Sequence, residues 1–247
     1  MLFKKRSSPQ MSDTLRTAVF IILSGGFQDA YTYCCRGSVF ANAQTGNIVL
    51  MSSNLFKGEW ANSVKYIIPI ISFLLGTIVA EIIHSRFKKY EKIHWRQIVL
   101  LIEIVLMFFV GFMPQSLNSA ANALVSFVCA LQVQTFHKVR GHVYASTMCI
   151  GNMRSGAESL YAYFKTKDKV ILYKALTYFA VIALFALGAG IGSIITAKIG
   201  EKSVWICCGL LTISFVMMFV KDREKQHRQQ NSNYFQQLSR SYPFPAI

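Results

Sequence analysis

Charge is what this 247-residue sequence has least of: Asp, Glu, Lys and Arg together make up 15%, and only 11 residues are acidic against 26 basic. Soluble domains carry about 25% charged residues. With 53% hydrophobic residues and a mean hydropathy of +0.38, that scarcity excludes a disordered chain or a charged coiled coil. Metal-ligand spacing is also missing. Cys34, Cys35, Cys129, Cys149, Cys207 and Cys208 form no CxxC and no Cys/His array, and they lie mostly in apolar runs, so they read as small apolar residues. No HExxH or GxSxG occurs. His137 and His142 near Cys149 read as a solvated basic turn. The reading is therefore non-enzymatic, without metal or cofactor. No cleavable signal peptide follows the basic segment Met1–Arg6, and the first apolar run is expected to stay as a span.

What is present is a series of long apolar stretches. A membrane crossing needs about 20 apolar residues, and the chain offers about six candidates, near 15–36, 64–84, 97–113, 118–137, 172–196 and 203–220. The first is interrupted by Gly25, Gly26, Gln28 and Asp29. Two further pieces, 44–56 and 149–164, are helical in character but too short or too polar to cross comfortably. The expectation is an all-α polytopic membrane protein. It comprises a cytoplasmic segment 1–14, one membrane domain 15–220 and a polar, Gln/Asn-rich, flexible cytoplasmic tail 221–247.

The membrane domain carries an internal repeat at an offset of about 104 residues, dividing it into 15–113 and 118–220. Gln28 matches Gln132, Arg36-Gly37 matches Arg140-Gly141, and Val39-Phe40-Ala41 matches Val143-Tyr144-Ala145. One residue of slippage later, Gly46-Asn47 matches Gly151-Asn152. Charge then orients the spans, because cytoplasmic loops concentrate Lys and Arg. If both short pieces dip in and out without crossing, 21 of the 26 basic residues fall on the cytoplasmic side, along with both termini. If both cross instead, the basic 86–96 loop moves outside. The first arrangement fits better. Each repeat then makes an odd number of crossings, so the second copy enters from the opposite face. An inverted 3+3 repeat with broken helices is a transporter architecture.

The sharpest local pattern is Gly26, Asp29 and Ala30, followed by Phe40, Thr45, Gly46 and Asn47. On these residues the chain resembles the YoaK family of small bacterial integral membrane proteins, which share a Gly-x-x-Asp-Ala element and then a Phe-x-x-x-x-(Thr/Ser)-Gly-Asn element. The resemblance covers most of 15–220. It implies an inner-membrane protein with about six spans and adds no substrate.

Candidate site residues follow from membrane depth. Asp29 within the first span is either a proton- or cation-coupling carboxylate or a brace for the neighbouring short segment. Thr45, Gly46, Asn47, Gly151 and Asn152 can open two half-helices whose free N–H groups favour an anion or a polar ligand. Glu103 is a second intramembrane carboxylate, which either relays protons or hydrogen-bonds a neighbour while protonated. Arg154 and Glu158 stand at i, i+4 and can pair with each other, and Arg154 can instead reach Asp29. Gln28, Gln132 and Gln134 serve a cavity or join helices, helix joining being favoured for the last two. Tyr31, Tyr33 and Tyr144 can meet substrate or belong to an aromatic belt. The expected partners are membrane lipids and a small solute or ion. Nucleic acid is not expected, and an oligomer is neither excluded nor indicated. The favoured function is a permease, with a channel of the same architecture, or a module binding a lipid or protein partner, as the competing readings.

Overall fold

The computed structural model describes residues 15–87, 95–139, 142–143, 147 and 149–218. In chain order its helices are α1 (Leu15–Cys35), α2 (Gln44–Phe56), α3 (Trp60–Phe87), α4 (Trp95–Val110), α5 (Asn118–Thr135), α6 (Cys149–Thr166) and α7 (Lys169–Ile199). A further helix, α8, spans 205–218 after the short turn Gly200–Val204. Every apolar stretch and both short pieces become helices within a few residues of expectation. Three stretches, Trp60–Phe87, Gln115–Thr135 and Lys169–Met218, are long and apolar enough to cross a membrane. The segments 1–14 and 221–247, together with Arg140, Gly141, Tyr144 and Ala145, lie outside the described residues.

Two features depart from the expected pattern. First, α1 runs unbroken through Gly25 and Gly26. These glycines do not interrupt the helix; they let another helix approach. A Cβ on Gly26 would collide with the Phe185 carbonyl of α7 and lie 2.9 Å from the Ala189 nitrogen. Second, α5 is followed by a two-residue antiparallel hairpin, Lys138–Val139 with His142–Val143, so the fold is helical with one small ladder.

The contacts sort the helix ends into two groups. At one end, the Arg36 guanidinium donates to the Val110 and Pro114 carbonyls and to Asn118, Lys65 Nζ reaches the Gly37 carbonyl, and Gln115 bonds Glu201. The C-terminal ends of α1, α4 and α7 therefore meet the N-terminal ends of α3 and α5. At the other end His84 stacks beside Trp95, with ring centroids 4.5 Å apart, and Ser214 donates to the Thr17 carbonyl. Ile21, Leu100, Phe136, Leu211 and Met218 form a buried cluster there.

The short helices behave differently. Gly37, at φ +84°, closes α1 with a Ser38 N–H to Tyr33 carbonyl bond, a glycine cap that reverses the chain. The linker then turns back to mid-helix depth, where Asn42 Nδ2 donates to the Gly25 carbonyl at 3.3 Å. From there α2 returns to the end where α3 begins, and the two helices form a hairpin in which Ser63 bonds the Met51 carbonyl. In the second half Thr147 also touches Gly25. From that depth α6 runs to the opposite end, where α7 begins.

The broadest packing is α1 on α7 and α3 on α5, followed by the hairpins α6–α7 and α2–α3. The first two are one contact made twice. Gly188 of α7 lies against the backbone of Leu23, and Gly76 of α3 lies against the backbone of Phe127, 2.6 Å from its carbonyl to a built Cβ. Leu23 and Phe127 are 104 positions apart, the offset of the repeat.

Candidate functional site

The polar centre is built around α1. Ser24, Gln28, Asp29 and Thr32 are buried on it among apolar neighbours. Gln28 Nε2 donates to Ser24 Oγ at 3.0 Å and to Gln132 Oε1 at 3.4 Å, while the Cys129 thiol donates to Gln28 Oε1 at 2.8 Å. Gln132 Nε2 donates to the Ile21 carbonyl at 2.6 Å. Both glutamines are occupied in joining α1 to α5, and neither offers a free amide. Gln134 reaches Glu81 on α3 in an exposed pair.

Asp29 stands against the linker that precedes α2. It is 9% exposed, and its Oδ1 accepts the Asn42 N–H at 2.7 Å. The expectation that α2 opens with free N–H groups for an external anion is not met. Gly46 and Asn47 N–H already bond the Ala43 carbonyl, and the N-cap is Ala43 with no side-chain cap. The protein's own carboxylate stands at the start of α2, where an anion would otherwise sit.

The Phe-x-x-x-x-Thr-Gly-Asn element has a direct physical account. Asn47 does not cap α2. Its amide pairs with the backbone of Phe40 in both directions, Nδ2 to the carbonyl at 2.7 Å and Oδ1 from the N–H at 3.1 Å, and Nδ2 also meets Gln44 Oε1. The Phe40 ring stacks on Tyr33, centroids 4.8 Å apart, and lies 3.1 Å from a Cβ built on Gly46. Phe40, Gly46 and Asn47 thus form one clamp holding an irregular linker at membrane depth, where its backbone groups need partners. Thr45 is exposed and stays outside the clamp. Asn47→Ala should orphan both Phe40 backbone groups at about 1–3 kcal/mol each. Asn47→Asp, which keeps the acceptor, should lie between that variant and the native protein in thermal unfolding midpoint.

The second half is only partly parallel. Asn152 is buried like Asn47, but Gly151 is exposed and no described atom lies within 4 Å of a Cβ built on it. Arg154 and Glu158 pair at 2.9 Å with side chains 81% and 63% exposed. The ion pair between Asp29 and Arg154 is therefore not formed. The inward face of α6 is Asn152, Gly156 and Ser159, and the i, i+4 pair sits on the opposite face. Tyr31 is buried and its hydroxyl accepts from Arg36 Nε at 2.8 Å, so it serves packing at the helix end.

Glu103 lies at the middle of α4 with 0% exposure, and neither carboxyl oxygen has a hydrogen-bond partner among the described residues. Two groups that sequence reasoning passed over stand at the linker crossing. Asn42 Oδ1 and Thr147 Oγ1 are buried without partners among the described residues, and both residues touch Gly25. Extending the Gly46/Gly151 register back by a few residues pairs Asn42 with Thr147, a signal available in the repeat itself.

Long apolar helices around a polar, partly unsatisfied centre define a helical transmembrane protein. The chain belongs to the family described as "Protein of unknown function (DUF1275)", whose model matches residues 17–217. It is 24% identical over 213 residues to the UPF0700 transmembrane protein YoaK of Bacillus subtilis (strain 168), a match covering 81% of this chain and 91% of that protein. No solved structure matches it.

Proposed function

We propose that this chain is a small-molecule or ion permease of the cytoplasmic membrane. In this reading α1, α3, α4, α5, α7 and α8 cross as an inverted 3+3 repeat, and α2 and α6 enter from opposite faces. The observation that carries it is the meeting of Asn42 and Thr147 on Gly25, close to Asp29, with Asn42 Oδ1 and Thr147 Oγ1 unpaired among the described residues. Irregular backbone and unsatisfied oxygens at membrane depth are tolerated where they line a cavity, and broken helices meeting at the midplane are how inverted-repeat carriers build a site.

Symmetry supports the inversion. Two residues related by a two-fold axis touch only near that axis. Gln28 and Gln132 do so, and so do Ile104 and Cys208, each pair separated by 104 positions. Charge supports the orientation: the Arg36 end holds Arg36, Lys57, Lys65, Lys198 and Lys202, the opposite end has Arg86, Lys165, Lys167, Lys169 and Lys174 among the described residues, and this reading assigns the basic segments 1–14, 88–94 and 221–247 to the same cytoplasmic side. The site offers acceptors and one acid, which suits a solute rich in donors or a cation.

Two experiments test the reading. In a cysteine-free background, single cysteines at positions 58, 89 and 167 are treated with an impermeant thiol reagent from each side. Position 58 should label only from outside, and 89 and 167 only from inside; labelling of 58 from inside removes the inverted repeat. Asp29→Asn keeps an oxygen for the Asn42 N–H but loses the charge. It should therefore purify as native protein and show no transport current in reconstituted vesicles challenged with a panel of monovalent cations and small amines. Native-like currents in Asp29→Asn would leave Asp29 as a brace alone.

A further inference from the structure

Glu103 is a carboxyl group that the polar centre does not use. It is fully enclosed and both its oxygens lack partners among the described residues. The helices packed around α4 are α5, α3 and α8 with its preceding turn. Their titratable groups can be enumerated. On α5 the sole one is Cys129; on α8 they are Cys207 and Cys208; on α3 nothing titratable lies between Tyr66 and Glu81; and the turn's Glu201 and Lys202 sit at the Arg36 end. Arg96, buried two turns back on α4, is the cation next along Glu103's own helix; no Lys, Arg or His occurs within 17–35, 66–82, 97–136, 175–197 or 203–220. A Glu103 carboxylate would therefore face thiols, with no hydrogen-bonded countercharge among the described residues. An isolated carboxylate in such surroundings is costlier than taking up a proton.

We infer that Glu103 is a proton-binding site at the centre of the bundle, held as the neutral acid in the conformation described and released when that centre opens to water. Its ligand is H+, and the inference rests on the permease reading only in making that transport proton-coupled. The step balances simply: the carboxyl O–H breaks, the proton passes to water admitted from one face, and the carboxylate takes a proton from the other face before it is enclosed again.

The test begins with the native full chain in vesicles of phosphatidylethanolamine and phosphatidylglycerol at neutral pH. Infrared spectroscopy should show the carbonyl stretch of a protonated carboxyl group, and carboxyl-13C labelling of glutamate alone should shift it. Labelling needs no variant, so a folding defect cannot confuse the result. Glu103→Gln should remove the band and Asp29→Asn should keep it. Absence of the band in the native protein, or its survival in Glu103→Gln, overturns the inference. In the same vesicles a pH gradient should drive uptake of whichever cation or amine gives a current, and Glu103→Gln should abolish that drive. A glutamate band in vesicles that carry nothing would leave the proton site standing and remove the permease reading. Transport indifferent to the pH gradient would keep the permease reading and overturn the coupling.

Discussion

A single methyl group at Gly26 is expected to separate α1 from α7. In Gly26→Ala the new Cβ would meet the Phe185 carbonyl oxygen, with the Ala189 nitrogen at 2.9 Å and the Phe185 carbonyl carbon at 3.0 Å. All three are backbone atoms of a helix, so no rotamer change relieves the overlap. Overpacking of a well-filled interior costs about 1–3 kcal/mol and occasionally more, and a contact between two helix backbones falls at the upper end. Gly188 and Gly192 of α7 approach Leu23 and Phe27 along the same seam, which leaves no slack for a shift along the helix. Gly190→Ala is the control: it lies on the same helix with nothing within 4 Å. There the gain in helix propensity, about 1 kcal/mol, should stand alone. Size-exclusion profiles and thermal unfolding in detergent should show Gly26→Ala aggregated or melting far earlier, with Gly190→Ala at or above the native midpoint. A native-like Gly26→Ala would mean that the helices are not this close. Gly76→Ala should cause a comparable defect on the α3–α5 seam, because its Cβ would lie 2.6 Å from the Phe127 carbonyl oxygen and 2.8 Å from Ala130 Cβ.

The position of each helix was legible in the sequence because hydrophobicity and length alone decide it. Stretches such as 64–84 and 172–196 have no other stable form in a membrane, and they became the cores of α3 and α7. The role of the glycines was only half legible. Gly188 and Gly192 lie against α1, and Gly25 and Gly26, which read as a break in the first span, are a contact surface as well. A glycine in an apolar run signals both a flexible hinge and a missing side chain, and only the neighbouring helix tells them apart. The Thr-Gly-Asn element invited a helix-cap reading for the same kind of reason. Asn is a good cap in isolation, but Asn47 sits a full turn into α2, where its amide matches the Phe40 backbone instead. Arg154 and Glu158 were legible as a pair and illegible in direction, since i, i+4 spacing fixes a shared face without saying which way it points. Asn42 and Thr147 carried no motif at all and emerge only when two linkers converge on one glycine.

Arg36→Met should be the most damaging substitution at the opposite extreme of chemistry, loss of a buried polar hub. Arg36 is 1% exposed, yet no carboxylate pairs with it at salt-bridge distance among the described residues. Its charge is spread over neutral acceptors: Nε donates to the Tyr31 hydroxyl at 2.8 Å, Nη1 to the Pro114 carbonyl at 3.3 Å and Asn118 Oδ1 at 3.1 Å, and Nη2 to the Val110 carbonyl at 3.1 Å. The guanidinium also lies 5.4 Å from the Tyr31 ring centroid, and its own backbone carbonyl accepts from Asn122. One side chain thereby ties the end of α1 to the end of α4, the turn after it and the start of α5. Methionine fills similar volume but leaves the Tyr31 hydroxyl and two backbone carbonyls without this donor. A hydrogen bond to a charged group contributes about 1.5–3 kcal/mol, and several buried acceptors lose theirs at once. Lysine should not rescue the loss. Its ammonium is a single point with three donors, and it cannot span acceptors arranged around a planar fork. Arg36→Met and Arg36→Lys should therefore both lower the unfolding midpoint sharply, whereas Lys65→Met, which removes one exposed 3.4 Å bond to Gly37 at the same end, should barely move it. If Arg36→Lys kept native stability, charge alone would hold this end of the bundle together, and the directional network would be incidental.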